Sequence, residues 1–221
     1  MNAGALLHLL QFASPALPIG GYSYSQGLET AIDGGAVHDA ATAREWIARY
    51  LAEVIARWDA PVLWRLLQAF DAGDDDAVAL WSERFIASRD SVELRAETIQ
   101  MGYSLTRLVD ELGVADVAKL ASEVALPTAF ACAVAALAIP PQDALLAMLF
   151  SWAENQVLVC VKSVPLGQVA GQRLLLSLTP DLERAAAAAQ VIDDADMSNW
   201  SPGLSMLSMR HEVQHGRLYR S

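Results

Sequence analysis

The chain has 221 residues, 54% of them hydrophobic, and is therefore long and apolar enough to bury one large core. Its net charge of −11 and its small number of lysines argue against a surface that neutralises nucleic-acid phosphates. The two cysteines, Cys132 and Cys160, lie in apolar stretches without a CxxC motif, which predicts buried thiols in the cytoplasm and no disulfide scaffold.

The first predicted elements are a short apolar helix over residues 1–12 and a long irregular loop over residues 13–29. No basic cluster precedes the helix and no small-residue cleavage pattern follows it, so a secretory signal is not supported. In the loop, prolines restrict the backbone and a glycine pair permits unusual dihedral angles, which together favour an ordered but irregular conformation. We expect Tyr22 and Tyr24 to point outward as anchors of a protein interface, and an ordinary helix connector is the alternative interpretation.

Helical signals continue through the next part of the chain. A short helix over residues 26–32 should stop at the Asp-Gly-Gly sequence that follows it. Thr42 is a plausible N-cap of the next helix, where Glu45 would complete a capping box, and Pro61 should open or kink the segment after it. The acidic run over residues 71–76 lacks the spacing of a calcium-binding loop, so it predicts a helix start rather than a cation site.

A long amphipathic helix is predicted over residues 91–113. Its polar face begins with Arg89 and Glu93, whose i,i+4 spacing predicts an ion pair. The same face continues with Arg95 and Glu97, and we interpret it as a solvated surface.

The most apolar part of the chain follows. Two helices over residues 128–139 and 143–164 are hydrophobic on almost every side and should form the centre of a bundle. The uncharged stretch over residues 124–142 is interrupted by prolines, which leave a helical portion too short to cross a membrane. We therefore expect no membrane segment.

One polar stripe interrupts the second of these central helices. Ser151, Asn155 and Lys162 share a face of the helix, with Glu154 and Gln156 beside it. A lysine in apolar surroundings can act as a nucleophile, which is the enzymatic interpretation. We favour the alternative, in which the stripe satisfies loop backbone or emerges at a surface.

The last two helices are predicted over residues 166–178 and 181–195. No alternating strand pattern, internal repeat or domain-sized linker is present, so we predict an all-α, single globular bundle of roughly ten helices over residues 1–196. Residues 197–221 change in composition, with three arginines against one carboxylate. They predict a partly flexible C-terminal docking tail of the same domain.

The tail contains His211-Glu212-Val213-Gln214-His215, which matches the H-E-x-x-H pattern of zinc proteases. The third ligand position of such enzymes is not filled downstream, so catalysis is disfavoured. A helical metal-dependent hydrolase using this motif is the alternative function, and weak metal binding by His211 and His215 is a separate hypothesis. No catalytic triad or phosphate loop is recognisable, and the sequence favours a non-enzymatic binding protein.

Three separated blocks of the chain together resemble the UreF family of urease accessory proteins. The first is LLHLLQFASPALPIGGYSYSQGLE at residues 6–29. The second combines SRDSVELRAETIQMGYSL at residues 88–105 with SWAENQVLVCVKSVPLGQVAGQRLLLSLTP at residues 151–180. The third is PGLSMLSMRHEVQHGRLYRS at residues 202–221. The blocks occur in the order of the family and span nearly the whole chain.

The resemblance implies a cytoplasmic, non-enzymatic chaperone that helps to insert nickel into apo-urease (UreABC). It implies a homodimer that binds the UreD scaffold, also called UreH, and that recruits or regulates the GTPase UreG. It implies no stably bound cofactor, because nickel and GTP act through the partner proteins. Neither nucleic acid nor a membrane is an implied partner.

The resemblance also assigns partner-binding residues. In the N-terminal loop these are Pro15, Pro18, Gly20, Gly21, Tyr22, Ser23, Tyr24, Gln26, Gly27 and Glu29. On the GTPase side they are Lys162, Pro165, Leu166, Gly167, Gln168 and Gln172. In the tail they are Met209, Arg210, His211, Glu212, Arg217 and Arg220. The tail is implied to become ordered against UreD. The family pattern usually has an aromatic residue where this chain has His215, which weakens the zinc interpretation.

Overall fold

The computed structural model describes residues 1–118 and 120–221, and these contain α-helices and no β-strand. The helices are α1 Ala3–Phe12, α2 Leu28–Asp33, α3 Ala40–Tyr50, α4 Ala60–Ala72, α5 Asp75–Ala87, α6 Val92–Glu111, α7 Leu126–Ala136, α8 Pro141–Ser163, α9 Gln168–Ser177, α10 Thr179–Val191 and α11 Pro202–His211. The predicted all-α bundle is confirmed.

The start of α3 differs from the prediction. Its N-cap is Asp39, whose side chain accepts from the N–H of Thr42 at 2.8 Å, while the Thr42 hydroxyl oxygen accepts from the N–H of Asp39 at 3.0 Å. The capping box therefore joins Asp39 and Thr42, and Glu45 has no part in it. Aspartate is the stronger N-cap, and the threonine three residues later can return its hydrogen bond.

A π-helical segment, Leu51–Asp59, joins α3 to α4 in one continuous helix. Pro61 lies in the first turn of α4 and has no N–H to offer the carbonyl of Arg57, four residues before it. That carbonyl instead accepts from the N–H of Ser198 at 3.1 Å. Because Pro61 leaves the carbonyl of Arg57 without a helical donor, this carbonyl can bind Ser198 and so attach the beginning of the C-terminal tail to the bundle.

The centre of the bundle is α8, which packs against α2, α3, α4, α7, α9 and α10. It is long and apolar enough to span a membrane by length and composition alone. Its packing among the chain's own helices is that of a core helix. Cys160 on α8 and Cys132 on α7 are buried free thiols, and burial raises the pKa of Cys160 to about 12. Such a thiol is inert at neutral pH.

The polar face of α6 is only partly solvated, which corrects the prediction: Arg95 is exposed and pairs with Glu123, whereas the acidic residues beside it are covered. Arg89 forms no pair with Glu93 but donates to Asp59 at 2.8 Å and stacks on the ring of Phe85. Glu97 is buried, and Glu93 is largely covered. The covering segments are distant in sequence, because the N-terminal loop and the C-terminal tail both lie on this face of α6.

The last predicted helix ends earlier than expected, at Val191. Arg65 on α4 donates to the carbonyl of Ala189 at 3.2 Å, which satisfies one of the last carbonyl groups of α10. Arg65 also pairs with Asp194, which holds the chain after α10 against α4. The tail then forms α11, which packs on α2 and α6. The division of the chain at residue 196 stays a prediction.

Candidate functional site

The N-terminal loop and the C-terminal tail meet in one surface. We call it the loop–tail face and define it as residues 13–29 and 209–221. The N–H groups of Ser25 and Gln26 donate to the carbonyl of Ser221 at 2.8 and 3.1 Å, and the N–H of Arg220 donates to the carbonyl of Ser23 at 2.8 Å. Two segments that were predicted as separate recognition elements therefore share a backbone hydrogen-bond network.

Gln26 determines the shape of the loop. Its φ of 55° lies in the left-handed region, which costs a non-glycine residue free energy, and Gly27 follows with a φ of 82°. Its side-chain carbonyl accepts from the indole N–H of Trp152 at 2.8 Å, and its amide donates to Glu97 at 2.6 Å. These two bonds to α8 and α6 hold the strained backbone in place.

The two loop tyrosines have different roles, although both were predicted as surface anchors. Tyr22 is 59% exposed, whereas Tyr24 is only 4% exposed. The Tyr24 hydroxyl donates to Gln100 at 2.8 Å, and its carbonyl accepts from the side-chain amide of Asn155 at 2.9 Å. The favoured interpretation of the α8 stripe is thus confirmed for Asn155, which satisfies loop backbone.

His211 connects the tail to the rest of the face. It is fully buried, with Nδ1 at 2.6 Å from Glu93 of α6 and Nε2 at 2.9 Å from Glu29 of α2. Arg217 pairs with the other oxygen of Glu93. Three residues predicted to contact partners, Glu29, His211 and Arg217, are therefore bound to groups of the chain itself.

Glu29 attaches the end of the tail to this cluster. Its carboxylate accepts from the N–H groups of Leu218 at 2.7 Å and Tyr219 at 3.1 Å, in addition to its contact with His211. Two carboxylates, one imidazole and one guanidinium therefore lie in mutual contact. Buried ionisable groups need such partners within the protein.

The H-E-x-x-H motif does not form the geometry that its pattern suggests. Helix α11 ends at His211, and His215 lies in the exposed chain beyond it, so the two imidazoles do not share a helical face. Both nitrogens of His211 are already engaged by carboxylates. Within residues 1–118 and 120–221, no group of three metal-ligating side chains converges on a common point. The structure therefore lacks the i,i+4 helical arrangement on which the metal-binding hypothesis for His211 and His215 relied.

Glu97 is a second buried acid beneath the face. It accepts from the hydroxyl of Ser221 at 2.8 Å and from the amide of Gln26 at 2.6 Å. Burial raises its pKa to about 7, and the two hydrogen bonds only partly oppose this effect. One carboxyl group therefore holds both the loop and the end of the tail, and it titrates near neutral pH.

The predicted GTPase-side segment adjoins the same face. The ammonium nitrogen of Lys162 lies 5.8 Å from the ring centre of Tyr219, within range of a cation–π contact. Leu166 is half-buried. Of the residues predicted to contact the GTPase, the exposed ones are Lys162, Pro165, Gly167, Gln168 and Gln172.

The outer surface of the face combines apolar, aromatic and arginine side chains. Arg220, with Tyr22 and Tyr103, lines a surface pocket beside the loop, and it forms no salt bridge with any carboxylate of the described residues. Side chains of this kind dominate the energetics of protein interfaces. The exposed side chains of residues 209–221 are Met209, Arg210, Glu212, Val213, His215, Arg217, Leu218 and Arg220.

Sequence reasoning missed the contribution of α6. Glu93, Glu97 and Gln100 are spaced by four and three residues, lie on one face of α6 and contact the loop or the tail. Two features of the sequence could have indicated this contribution: an acidic helix face in the middle of the chain and an arginine-rich tail at its end. Their opposite charges favour contact between the helix and the tail.

Comparison with known proteins gives the family. The UreF family model matches residues 37–179. The urease accessory protein UreF of Janthinobacterium sp. (strain Marseille) is 65% identical over 226 residues, which cover all of both chains. That of Nitrosospira multiformis is 55% identical over 98% of each chain. The bifunctional urease accessory protein UreEF of Bordetella bronchiseptica is 47% identical over all of this chain and 53% of its own length.

These matches extend beyond the helical core. The family model leaves out the loop and the tail, but the full-length relatives span both segments. The resemblance inferred from the three sequence blocks is thus confirmed along the whole chain. The chain belongs to the UreF family of urease accessory proteins.

Proposed function

We propose that this urease accessory protein is a component of the nickel-insertion machinery and acts by binding partners. It binds the UreD (UreH) scaffold, recruits or regulates the GTPase UreG, and promotes maturation of the nickel centre of apo-urease (UreABC). It works in the cytoplasm as a homodimer. It holds no cofactor of its own, since nickel and GTP act through the partner proteins.

The observation that carries this proposal is the convergence of the three recognition segments. The loop and the tail share hydrogen bonds, and the Lys162 turn contacts Tyr219 of the tail. A rigid bundle with a continuous face of arginine, methionine and tyrosine side chains suits simultaneous binding of two proteins. The tail with α11 offers the UreD side, and the Lys162 turn offers the UreG side.

The pairing of the buried polar groups favours binding over catalysis. Glu29, Glu93, Glu97 and His211 are all engaged by other groups of the chain, and none is left facing a cleft as an unpartnered acid or base. Their arrangement fixes the shape of the face. The relatives are named as urease accessory proteins, which agrees with a non-enzymatic role.

The fused relative adds one partner to the proposal. In Bordetella bronchiseptica a UreF portion and a UreE portion share one chain by name, and the match covers 53% of that chain. Fusion keeps two proteins at a high effective concentration, as expected for proteins that work together. We therefore include UreE among the partners of this chain.

The test is reconstitution. The purified chain is mixed with UreD and UreG, and complexes are measured by size-exclusion chromatography with light scattering. Apo-urease, nickel and GTP are then added, and urease activity is followed. We expect a complex of all three proteins and an activity that requires this chain. Absence of a complex and of activation in every combination would contradict the proposal.

A further inference from the structure

Tyr219 lies where the C-terminal tail meets the end of α8. Its side chain is 6% exposed, although the residues on either side of it, Leu218 and Arg220, are both exposed. Its N–H donates to the carboxylate of Glu29 at 3.1 Å, and the N–H of Leu218 donates to the same carboxylate at 2.7 Å. The backbone around Tyr219 is therefore fixed to α2 by two hydrogen bonds that do not involve its side chain.

The side chain of Tyr219 covers the last turn of α8. The ammonium nitrogen of Lys162 lies 5.8 Å from the centre of its ring. Its hydroxyl lies beside the hydroxyl of Ser163, the last residue of the helix. The face of a tyrosine ring is negative and attracts a cation at this distance. The tail thus supplies the aromatic surface against which the Lys162 ammonium lies.

Lys162 has few other restraints. It is exposed, and no carboxylate of the described residues lies within salt-bridge distance of its ammonium group. A lysine side chain is a flexible carrier of a point charge, and ordering it on binding costs conformational entropy. A ring that restricts the ammonium group before a partner arrives reduces this cost. The contact with Tyr219 is therefore suited to preparing Lys162 for binding.

We infer that Tyr219 is a positioning residue of the GTPase side, whose ring holds the Lys162 ammonium where it contacts UreG, an inference that rests on the proposed function. Tyr219 is buried, so it acts through Lys162 and does not itself reach the GTPase. The residues that the sequence resemblance assigns to partner binding in the tail do not include it. The GTPase side is then formed by two segments, the end of α8 and the tail.

The first test observes Lys162 by NMR in the full chain without partners. The chain contains two lysines, Lys119 and Lys162, so carbon-13-labelled lysine gives two sets of side-chain signals, and Lys162→Met identifies one set by its disappearance. Protons that lie over an aromatic ring are shifted upfield. We expect the ε-CH2 protons of Lys162 to show this shift in the wild type and in Tyr219→Phe, and to lose it in Tyr219→Leu, which has no ring. The same chemical shift in the wild type and in Tyr219→Leu would overturn the inference.

The second test measures the affinity of UreG for the complex of the full chain with UreD, by biolayer interferometry. Tyr219→Leu should weaken UreG binding at least threefold, whereas Tyr219→Phe keeps the ring and should bind as the wild type does. In a chain that carries Lys162→Met, Tyr219→Leu should cause no further loss, because the ring acts through the ammonium group. Arg84→Met is the matched control: it removes a cation 4.9 Å from the ring centre of Trp81 on α5 and should leave UreG binding unchanged.

The outcomes separate the inference from the proposed function. Unchanged UreG binding by Tyr219→Leu, an equal loss in Tyr219→Phe, or an undiminished further loss in the Lys162→Met chain would each contradict the inference. Binding of UreD by every variant shows that the tail stays docked; if Tyr219→Leu loses it, Tyr219→Met, which fills the space with a flexible apolar side chain, replaces it with the same expectations. If the wild type itself binds no UreG in the presence of UreD, the proposed function fails, and the NMR comparison still shows whether Tyr219 positions Lys162.

Discussion

His211 is the single side chain that connects the most segments of the loop–tail face. Its ring joins α11 to Glu93 on α6 and Glu29 on α2, and Glu29 in turn holds the N–H groups of Leu218 and Tyr219. Removing one partner from a buried ionic cluster leaves charges that water cannot reach. The tail therefore depends on this residue although it presents nothing to a partner.

We expect His211→Ala to destabilise the docked tail by roughly 1–3 kcal/mol, because the buried carboxylate of Glu29 and the largely covered carboxylate of Glu93 each lose one hydrogen-bond partner. Limited trypsin digestion should then cut at Arg210 and Arg217 faster than in the wild type. His215→Ala is the control, since His215 is exposed and outside the cluster. Equal protection of the tail in the two variants would contradict this role of His211.

Glu97 makes the stability of the same face depend on pH. Its pKa of about 7 in the folded chain lies above its ordinary value of 4.5, so between these values the folded state holds a proton that the unfolded state has released. The stabilisation from this group is complete below pH 4.5 and is lost as the pH rises through 7.

We therefore expect the free energy of unfolding to fall by about 2 kcal/mol between pH 5.5 and 8.5 because of this group. Glu97→Gln keeps one acceptor and one donor without a titrating proton, so it should remove this part of the pH dependence. Urea unfolding of both proteins at constant ionic strength measures the difference. The same slope in wild type and variant would assign the pH dependence to other groups.

At the scale of the elements, the position of α6 depends on one close contact with the backbone that precedes α7. A Cβ atom at Gly102 would lie 2.0 Å from the carbonyl oxygen of Val124, so only glycine lets the backbone before α7 approach α6 this closely. The opposite side of α6 carries the acids that receive the tail. A shift of the helix would be transmitted to the loop–tail face.

Gly102→Ala should cost about 1–3 kcal/mol or more, because backbone must move to admit the methyl group. Gly203→Ala is the matched control: it also lies in a helix, and a Cβ there meets nothing within 4 Å. Thermal unfolding of the two variants gives the comparison. A Gly102 variant as stable as the Gly203 variant would show that the approach is not tight.

The elements themselves could largely be predicted from sequence, because caps and stops are local. Ser91 begins α6, Gly73 ends α4 and the Pro140-Pro141 pair separates α7 from α8, all as local rules require. The error at Thr42 arose because two capping candidates, Asp39 and Thr42, lie three residues apart. The error on α6 had a different cause: the partners of Glu93 and Glu97 lie at least 71 residues away along the chain, and no local pattern encodes such contacts.

At the scale of the whole molecule, the sequence distinguishes the loop and the tail from the helical core, but it does not predict that these two segments contact each other. Tyr22 and Tyr24 are two residues apart in an irregular loop, and only the turn between them decides which ring is buried. Likewise, Arg217 and Arg220 look equivalent in the tail, yet Arg217 pairs with Glu93 whereas Arg220 lies beside the hydroxyl of Tyr24 and lines the surface pocket. The distinction depends on tertiary contacts.

The central claim is that the outer surface of the loop–tail face binds the partner proteins, and Arg220→Ala tests it most directly. The control is Arg49→Ala, which removes another exposed arginine, one that pairs with Glu53 at the end of α3. Both variants should melt like the wild type, and co-purification with UreD and UreG should measure the assembly of the complex. We predict that Arg220→Ala loses most of the complex while Arg49→Ala keeps it. Undiminished binding of both partners by Arg220→Ala would contradict the claim.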